Sequence, residues 1–208
     1  NSIQPSKYAN FGANIVSNEY INGKGIITFD KDITIIPNDA FINNLTLLSV
    51  ILPNQVETIG SSAFSGCKYL EQVTIGKYTL SIGGNAFYGC IRLSSINFPA
   101  ELKYINGNAF TNCDALTEIT LPNSLKTIGY SAFSSCDKLA KVDLGQGVTK
   151  IDNYAFSTCP SIKEIVIPNS TTSIGEYAFN KCTNLATVTV GDSTITIGAS
   201  AFNECIEL

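Results

Sequence analysis

The stretch AFTNCDALTEITLPNSLKTIG at residues 109–129 decides the fold. Two residues further on, its opening pair returns as Ala132-Phe133. Phenylalanine falls at Phe41, Phe64, Phe87, Phe110, Phe133, Phe156, Phe179 and Phe202, always 23 residues apart. An alanine precedes each one. All seven cysteines (Cys67, Cys90, Cys113, Cys136, Cys159, Cys182 and Cys205) keep the same phase. The unit is A-F-x-x-C-x-x-[LI]-x-x-[IV]-x-[ILVF]-[PG]-x-x-[VLT]-x-x-I-[GND]-x-x. Seven complete copies fill residues 40–200, an eighth begins at Ala201, and no insertion interrupts them. A fixed period of this length marks a solenoid, whose core grows by stacking copies on one another.

Each copy divides into three parts. In L-x-x-I-x-I, as in Leu116, Ile119 and Leu121, the last two apolar residues alternate with polar ones, which predicts a strand with one buried face. Pro53, Gly76, Pro99, Pro122, Gly145, Pro168 or Gly191 then ends that strand. Equal phase predicts parallel, in-register stacking. The second part ends on an isoleucine followed by Gly60, Gly83, Asn106, Gly129, Asp152, Gly175 or Gly198. These residue types tolerate positive φ, so a left-handed position is expected there. Pro37 holds the same slot before the first copy, so a different turn is expected at that point. In A-F-x-x-C-x-x-[LI] the i+3 and i+4 spacings predict a short helical turn held by packing.

Residues 1–24 lie outside the period and are rich in Asn, Ser, Gly and Tyr, with a turn expected at Asn22-Gly23. They read as an N-terminal cap, and residues 25–208 as the solenoid. Ile27, Phe29 and Ile36 enter the phase as a half-copy. The chain has no methionine and no signal peptide, as a trimmed piece of a longer protein would.

Composition excludes several chemistries. There is no histidine, so histidine-based general-base and nucleophile pairs are absent. No phosphate-cradling glycine motif occurs, and no copy carries an irregular insertion of the kind an active site introduces. The reading is a non-enzyme without cofactor. A net charge of −4 with no basic cluster argues against nucleic acid. No apolar run approaches the roughly 18 residues that span a bilayer. Asp30 and Asp32 offer two carboxylates, read as a solvated strand end rather than a calcium site. Asn44-Leu45-Thr46 and Asn169-Ser170-Thr171 match glycosylation sequons, of the kind that an Asn- and Thr-rich chain produces by chance.

Matching cysteines should lie roughly 5 Å apart, given ~4.8 Å between paired strands. The spacing reads as a column of buried thiols acting as small hydrophobes. Disulfides between adjacent coils are the alternative. A metal site has no support, because neither C-x-x-C nor histidine occurs.

What remains for function is the outward side of the strands. One row is Ser49, Gln72, Ser95, Glu118, Lys141, Glu164 and Thr187. The next is Ile51, Thr74, Asn97, Thr120, Asp143, Val166 and Thr189. The candidate binding face is Gln72, Thr74, Asn97, Glu118, Thr120, Lys141, Asp143, Glu164 and Val166, with charge concentrated at Glu118, Lys141, Asp143 and Glu164. No aromatic residue stands in either row. Tyr78 and Tyr104 are read on loops beyond the strands, so no sugar-stacking platform is evident.

The consensus L-x-x-I-x-I-P-x-x-V-x-x-I-G-x-x-A-F-x-x-C resembles the BspA-like leucine-rich repeat, also called the Treponema pallidum type. The runs at residues 11–18 and 22–27 look like the cap of such proteins from anaerobic gut bacteria. The resemblance implies a right-handed α/β leucine-rich repeat solenoid, a horseshoe with parallel strands on the concave side and short helical turns opposite, and a cell-surface or secreted protein. It implies adhesin-like binding of host matrix proteins or other cells. Glycan capture in a surface complex, or a spacer role, are the alternatives. The family carries no fixed functional residues. The departures from its pattern are Asn44 for cysteine, Pro37 for glycine, Ile162 for leucine, and Thr79, Thr171 and Thr194 for aliphatic residues. All are expected to affect packing.

Overall fold

The structure, a computed structural model, describes residues 4–7, 9–21 and 24–208; the Asn22-Gly23 turn lies outside them. The chain opens with an antiparallel hairpin of β1 (Ile15–Ile21) and β2 (Lys24–Phe29). The coils then contribute strands in alternation. They are β3 (Ile35–Ile36), β4 (Ser49–Ile51), β5 (Thr58–Ile59), β6 (Gln72–Thr74), β7 (Ser81–Ile82) and β8 (Ser95–Ile96). They continue as β9 (Tyr104–Ile105), β10 (Glu118–Thr120), β11 (Thr127–Ile128), β12 (Lys141–Asp143) and β13 (Lys150–Ile151). The last are β14 (Glu164–Ile167), β15 (Ser173–Ile174), β16 (Thr187–Val190) and β17 (Thr196–Ile197).

The even-numbered strands from β4 to β16 arise from L-x-x-I-x-I and form the front of the solenoid. They pair in parallel as β4-β6-β8, β10-β12 and β14-β16. Each ends before its Pro or Gly. The odd-numbered strands from β3 to β17 form one continuous eight-stranded sheet. The sequence reading had placed one strand per coil and missed this second sheet. Its strands are only two residues long, too short to leave an alternation signal.

The expected helical turns are absent: the described residues form no helix. One left-handed residue directly precedes each A-F-x-x-C segment and a second falls inside it, such as Asn108 (φ 57) and Asn112 (φ 60). The amides there alternate in destination. Asn108, Phe110 and Asn112 donate to the carbonyls of Tyr130, Ala132 and Ser134 in the next coil, at 2.7, 2.7 and 3.0 Å. Ala109 and Thr111 donate within their own coil to Asn106 and Asn108. The physical reason is spacing. Stacked Phe rings from Phe41 to Phe202 sit 5.1–5.4 Å apart with interplanar angles of 2–11°. A helix is about 10–12 Å across and cannot repeat at that interval.

The residues after the conserved isoleucines also need correction. Gly60, Gly83, Gly129, Gly175 and Gly198 are not left-handed. They are small because coils touch there: a Cβ on Gly83 would lie 2.6 Å from the carbonyl carbon of Gly60. Consequently Pro37 fits without a different turn. Ala40 N donates to its carbonyl at 3.3 Å, as Ala63 N donates to that of Gly60 at 3.3 Å.

The six phenylalanines from Phe64 to Phe179 are fully buried, together with their alanines. All seven cysteines are free thiols; six are buried and Cys205 is half-buried. Each Sγ–H donates to the carbonyl of a phenylalanine one coil back, as Cys67 does to Phe41 at 3.1 Å. Burial raises the pKa of Cys90, Cys113, Cys159, Cys182 and Cys205 and pushes Cys67 up to about 12. Asn44, in the first cysteine slot, is buried and satisfied: its Nδ2 donates to the Gln4 carbonyl, and its Oδ1 accepts from Thr46 and Leu47 amides. Thr79 and Thr171 are fully buried, and their hydroxyls donate to the Val56 and Val148 carbonyls. Both sequons are structural as well. Asn169 Oδ1 accepts the Asp192 amide from the next coil.

At the hairpin end Phe11 tilts across Phe41, with centroids 6.0 Å apart, and ends the parallel column. Both oxygens of Asp30 accept hydrogen bonds from Asn14, at 2.9 and 2.7 Å, and these bonds lower the Asp30 pKa. That carboxylate therefore fastens the start of β1.

In native protein, N-ethylmaleimide should modify Cys205 alone at an appreciable rate, and all seven thiols in urea. Raising the pH to 9.0, the ordinary thiol pKa, should speed only the unfolded sample and Cys205. Rapid modification of several cysteines in the folded state would overturn the buried column. Mass spectrometry of the alkylated protein gives the count.

Candidate binding face

The front strands position the candidate residues through register. Ser49 pairs with Gln72 and Gln72 with Ser95, Glu118 pairs with Lys141, and Glu164 with Thr187. In the second row Ile51 pairs with Thr74, Thr120 with Asp143, and Val166 with Thr189. All nine candidate residues are exposed. Between the rows Val73, Ile119 and Ile165 point into the core at 1–3% exposure, so strand alternation alone fixes which side chains face out.

The nine are not equivalent. Asn97 folds back on the preceding coil, where its Oδ1 accepts the Ile75 amide at 2.9 Å and its Nδ2 donates to the Ile75 carbonyl at 3.3 Å. In the regular coils that amide's counterpart goes to a backbone carbonyl, as Leu52 N does to Thr74 at 2.9 Å. The Asn97 side chain thus replaces a rung of the ladder, and β8 stops at Ile96. Phe98 follows in an aliphatic slot and packs edge-on against Phe110 at 5.6 Å. The front sheet breaks here. Asp143 has one oxygen committed to the Gly145 amide at 2.9 Å.

Glu118, Lys141 and Glu164 form the charged centre, with Asp143 beside them. Lys141 Nζ lies 3.9 Å from Glu118 Oε2, with the two side chains 82% and 69% exposed. Such a contact is worth at most about 1 kcal/mol, so these groups remain available to a partner.

Two surface features escaped the sequence reading. Tyr104 is in β9 of the second sheet, not in a loop, and is 55% exposed; Tyr78 does sit in a turn. A row of tyrosines crosses three coils at the turns. Tyr154 and Tyr177 stack at 5.0 Å, and Tyr130 meets Tyr154 edge-on at 5.6 Å. Desolvation raises the Tyr154 pKa, and charge repulsion from Tyr177, Tyr130 and Glu176 adds to it. The 23-residue spacing of Tyr154 and Tyr177 was the available signal.

A family model described as BspA type leucine rich repeat region matches residues 34–163 and 149–208, in six copies. Among solved structures, a Treponema pallidum leucine-rich repeat protein is similar at 31% identity and a TM-score of 0.78, over 84% of this chain and 82% of that one. A leucine-rich repeat protein from Bacteroides ovatus is 27% identical with a TM-score of 0.77, over 89% of this chain and 54% of that one. A leucine-rich cell-surface protein from Faecalibacterium prausnitzii is 30% identical with a TM-score of 0.73, over 86% and 48%. The chain spans about half the length of these last two. Among curated protein sequences none is significantly similar to it. The likeness makes the fold a right-handed leucine-rich repeat solenoid of about seven turns. Among the described residues no helix is long and apolar enough to cross a membrane.

The unequal roles on the front face give a measurable contrast. Asn97→Ala removes the partner of a buried amide and should cost about 1–2 kcal/mol in urea unfolding. Thr74→Ala, in the same row but pointing to solvent, should stay within about 0.5 kcal/mol.

Proposed function

The chain belongs to the BspA-type leucine-rich repeat family, and from that premise we propose that it is a non-enzymatic binding module. It acts at a cell surface or in secreted form, holding a protein ligand on its front face in the manner of an adhesin. Leucine-rich repeat proteins are generally protein-interaction scaffolds, and stacked coils supply the broad surface such binding uses. The observation that carries the reading is the exposed charged group of Glu118, Lys141 and Asp143 on the paired strands β10 and β12, with Glu164 at the same repeat position on β14. Three carboxylates beside one ammonium favour a partner with basic side chains, such as a host matrix protein or a neighbouring cell's surface protein. The Phe column, at 5.1–5.4 Å against ~4.8 Å for paired strands, favours the strand side as the concave one. Residues 1–24 cover the first coil, and residues 25–208 carry the binding surface. Surface location is supported by the likeness to the cell-surface protein of Faecalibacterium prausnitzii.

A second reading, glycan capture, is favoured by the Tyr130, Tyr154 and Tyr177 row, since aromatic rings stack on sugar faces. One experiment separates the two. Glu118→Ala, Asp143→Asn (which keeps an oxygen for the Gly145 amide) and Glu164→Ala together should weaken binding to immobilised matrix proteins such as collagen or laminin at least tenfold, with melting unchanged. Tyr130→Ala should leave that binding intact. Loss of glycan-array signal on Tyr130→Ala, with matrix binding indifferent to the triple change, would replace the first reading by the second.

A further inference from the structure

The hairpin does not meet the first coil as one coil meets another. β2 keeps the phase of a front strand, with Ile27 and Phe29 standing 23 residues before Val50 and Leu52. Yet β2 pairs with β1, and β4 is the edge strand of its sheet on the hairpin side. Among the described residues, the ladder that joins β4 to β6 therefore has no counterpart between β2 and β4. An apolar cavity of about 190 Å³ fills the space. Its walls are Ile27 and Phe29 on one side and Val50 and Leu52 on the other, above Phe11 and Phe41. Ser49, Ile51 and Pro53 also line it, and all three are exposed, so they form its mouth. One coil further on the same positions are closed: Val73 and Ile75 are each 3% exposed.

We propose that this cavity is a pocket for one apolar side chain, between leucine and phenylalanine in size, carried by an extended segment of a protein ligand. Three observations define that occupant. The first is volume: an apolar cavity of about 150 Å³ lined by Leu, Ile and Phe stays dry and takes up benzene, so this one suits a phenyl ring or a branched aliphatic group. The second is chemistry. Among the described residues that line it, Ser49, at the mouth, is the one that bears a hydroxyl, and none is charged. A charged group inside would find no counter-charge among these side chains and be disfavoured. The third is position. Ser49 and Ile51 are the first members of the two front-face rows, and Ile51 is 76% exposed. A chain lying along that face reaches the mouth directly. The open edge of β4 offers it main-chain partners, and an unpaired edge beside a side-chain pocket is how extended peptides are held by strand addition. The buried apolar anchor then supplies affinity where the charged rows supply register.

The proposal rests on the front face being the protein-binding surface, but its test reads the pocket alone. The folded chain, labelled at its isoleucine methyls, is titrated with N-acetyl-L-phenylalaninamide, N-acetyl-L-leucinamide and N-acetylglycinamide and followed by NMR. The first two probes should give saturable shifts at Ile27, Ile36 and Ile51, with affinity on the order of 1 mM, and none at Ile165. The glycine probe should give none. Ser49→Trp, at an exposed position, closes the mouth and should abolish the shifts, and Ile51→Glu should weaken them at least tenfold. Ser95→Trp, in the same row two coils away, should leave them unchanged. Absence of saturable shifts with both apolar probes overturns the pocket, as do shifts that survive both mouth substitutions. Either result leaves the charged row standing, and an indifferent charged row leaves the pocket standing.

Discussion

The coils of this chain lie about 5 Å apart, and that interval is enforced by the hydrogen bonds crossing between A-F-x-x-C turns. Amides such as Asn108, Phe110 and Asn112 give their protons to the next coil, while their neighbours close turns within their own. Every second residue is thereby tied sideways. The segment behaves as a sheet ladder without being a strand. Two left-handed residues per coil are the conformational cost, about 1–2 kcal/mol each for a side chain other than glycine. The chain meets it mostly with Asn, Asp, Ser and Gly, but also with Tyr154, Thr158 and Lys181. Stacked Phe rings at the same interval offset that cost by burial.

The remaining repeated residues follow from the interval. Cysteine is small, apolar enough to be buried, and able to give its weak donor to a phenylalanine carbonyl of the coil before. Where its slot holds Asn44, a terminal segment must supply the polar partner, and the Gln4 carbonyl does. Asn54, Asn123 and Asn169, each following a proline, accept an amide from the next coil. The abundance of Asn, Ser and Thr is therefore largely lateral hydrogen bonding between coils. The positions left for recognition are few, and they lie on the front strands, on the turn tyrosines and at the junction with the hairpin.

The period, the buried residues, the parallel front strands and the free thiols were all legible from residue spacing, because each is a consequence of translation by 23 residues. The helical turn was misread because i+3 and i+4 spacing is shared by a helix and by consecutive turns. Only the coil interval separates them, and that is a tertiary quantity. The left-handed residues were misplaced for a related reason. Glycine at Gly83 answers a close approach between coils, whereas the true left-handed sites accept Asn108, Ser135 or Lys181. On the candidate face, alternation located the exposed residues. It did not reveal that Asn97 substitutes for a backbone carbonyl, which depends on the coil before it. The pocket between β2 and β4 was equally hidden, since Ile27 and Phe29 keep the phase while their strand pairs elsewhere.

Hydrogen exchange of individual backbone amides tests the interlocked turn most directly. If the A-F-x-x-C segments are tied coil to coil, the amides of Asn108, Phe110 and Asn112 should exchange as slowly as those of Ile119 and Ile128, opening only with unfolding of the central stack. Exchange of the Asn108, Phe110 and Asn112 amides at surface-loop rates, with protection confined to the strands, would contradict the account.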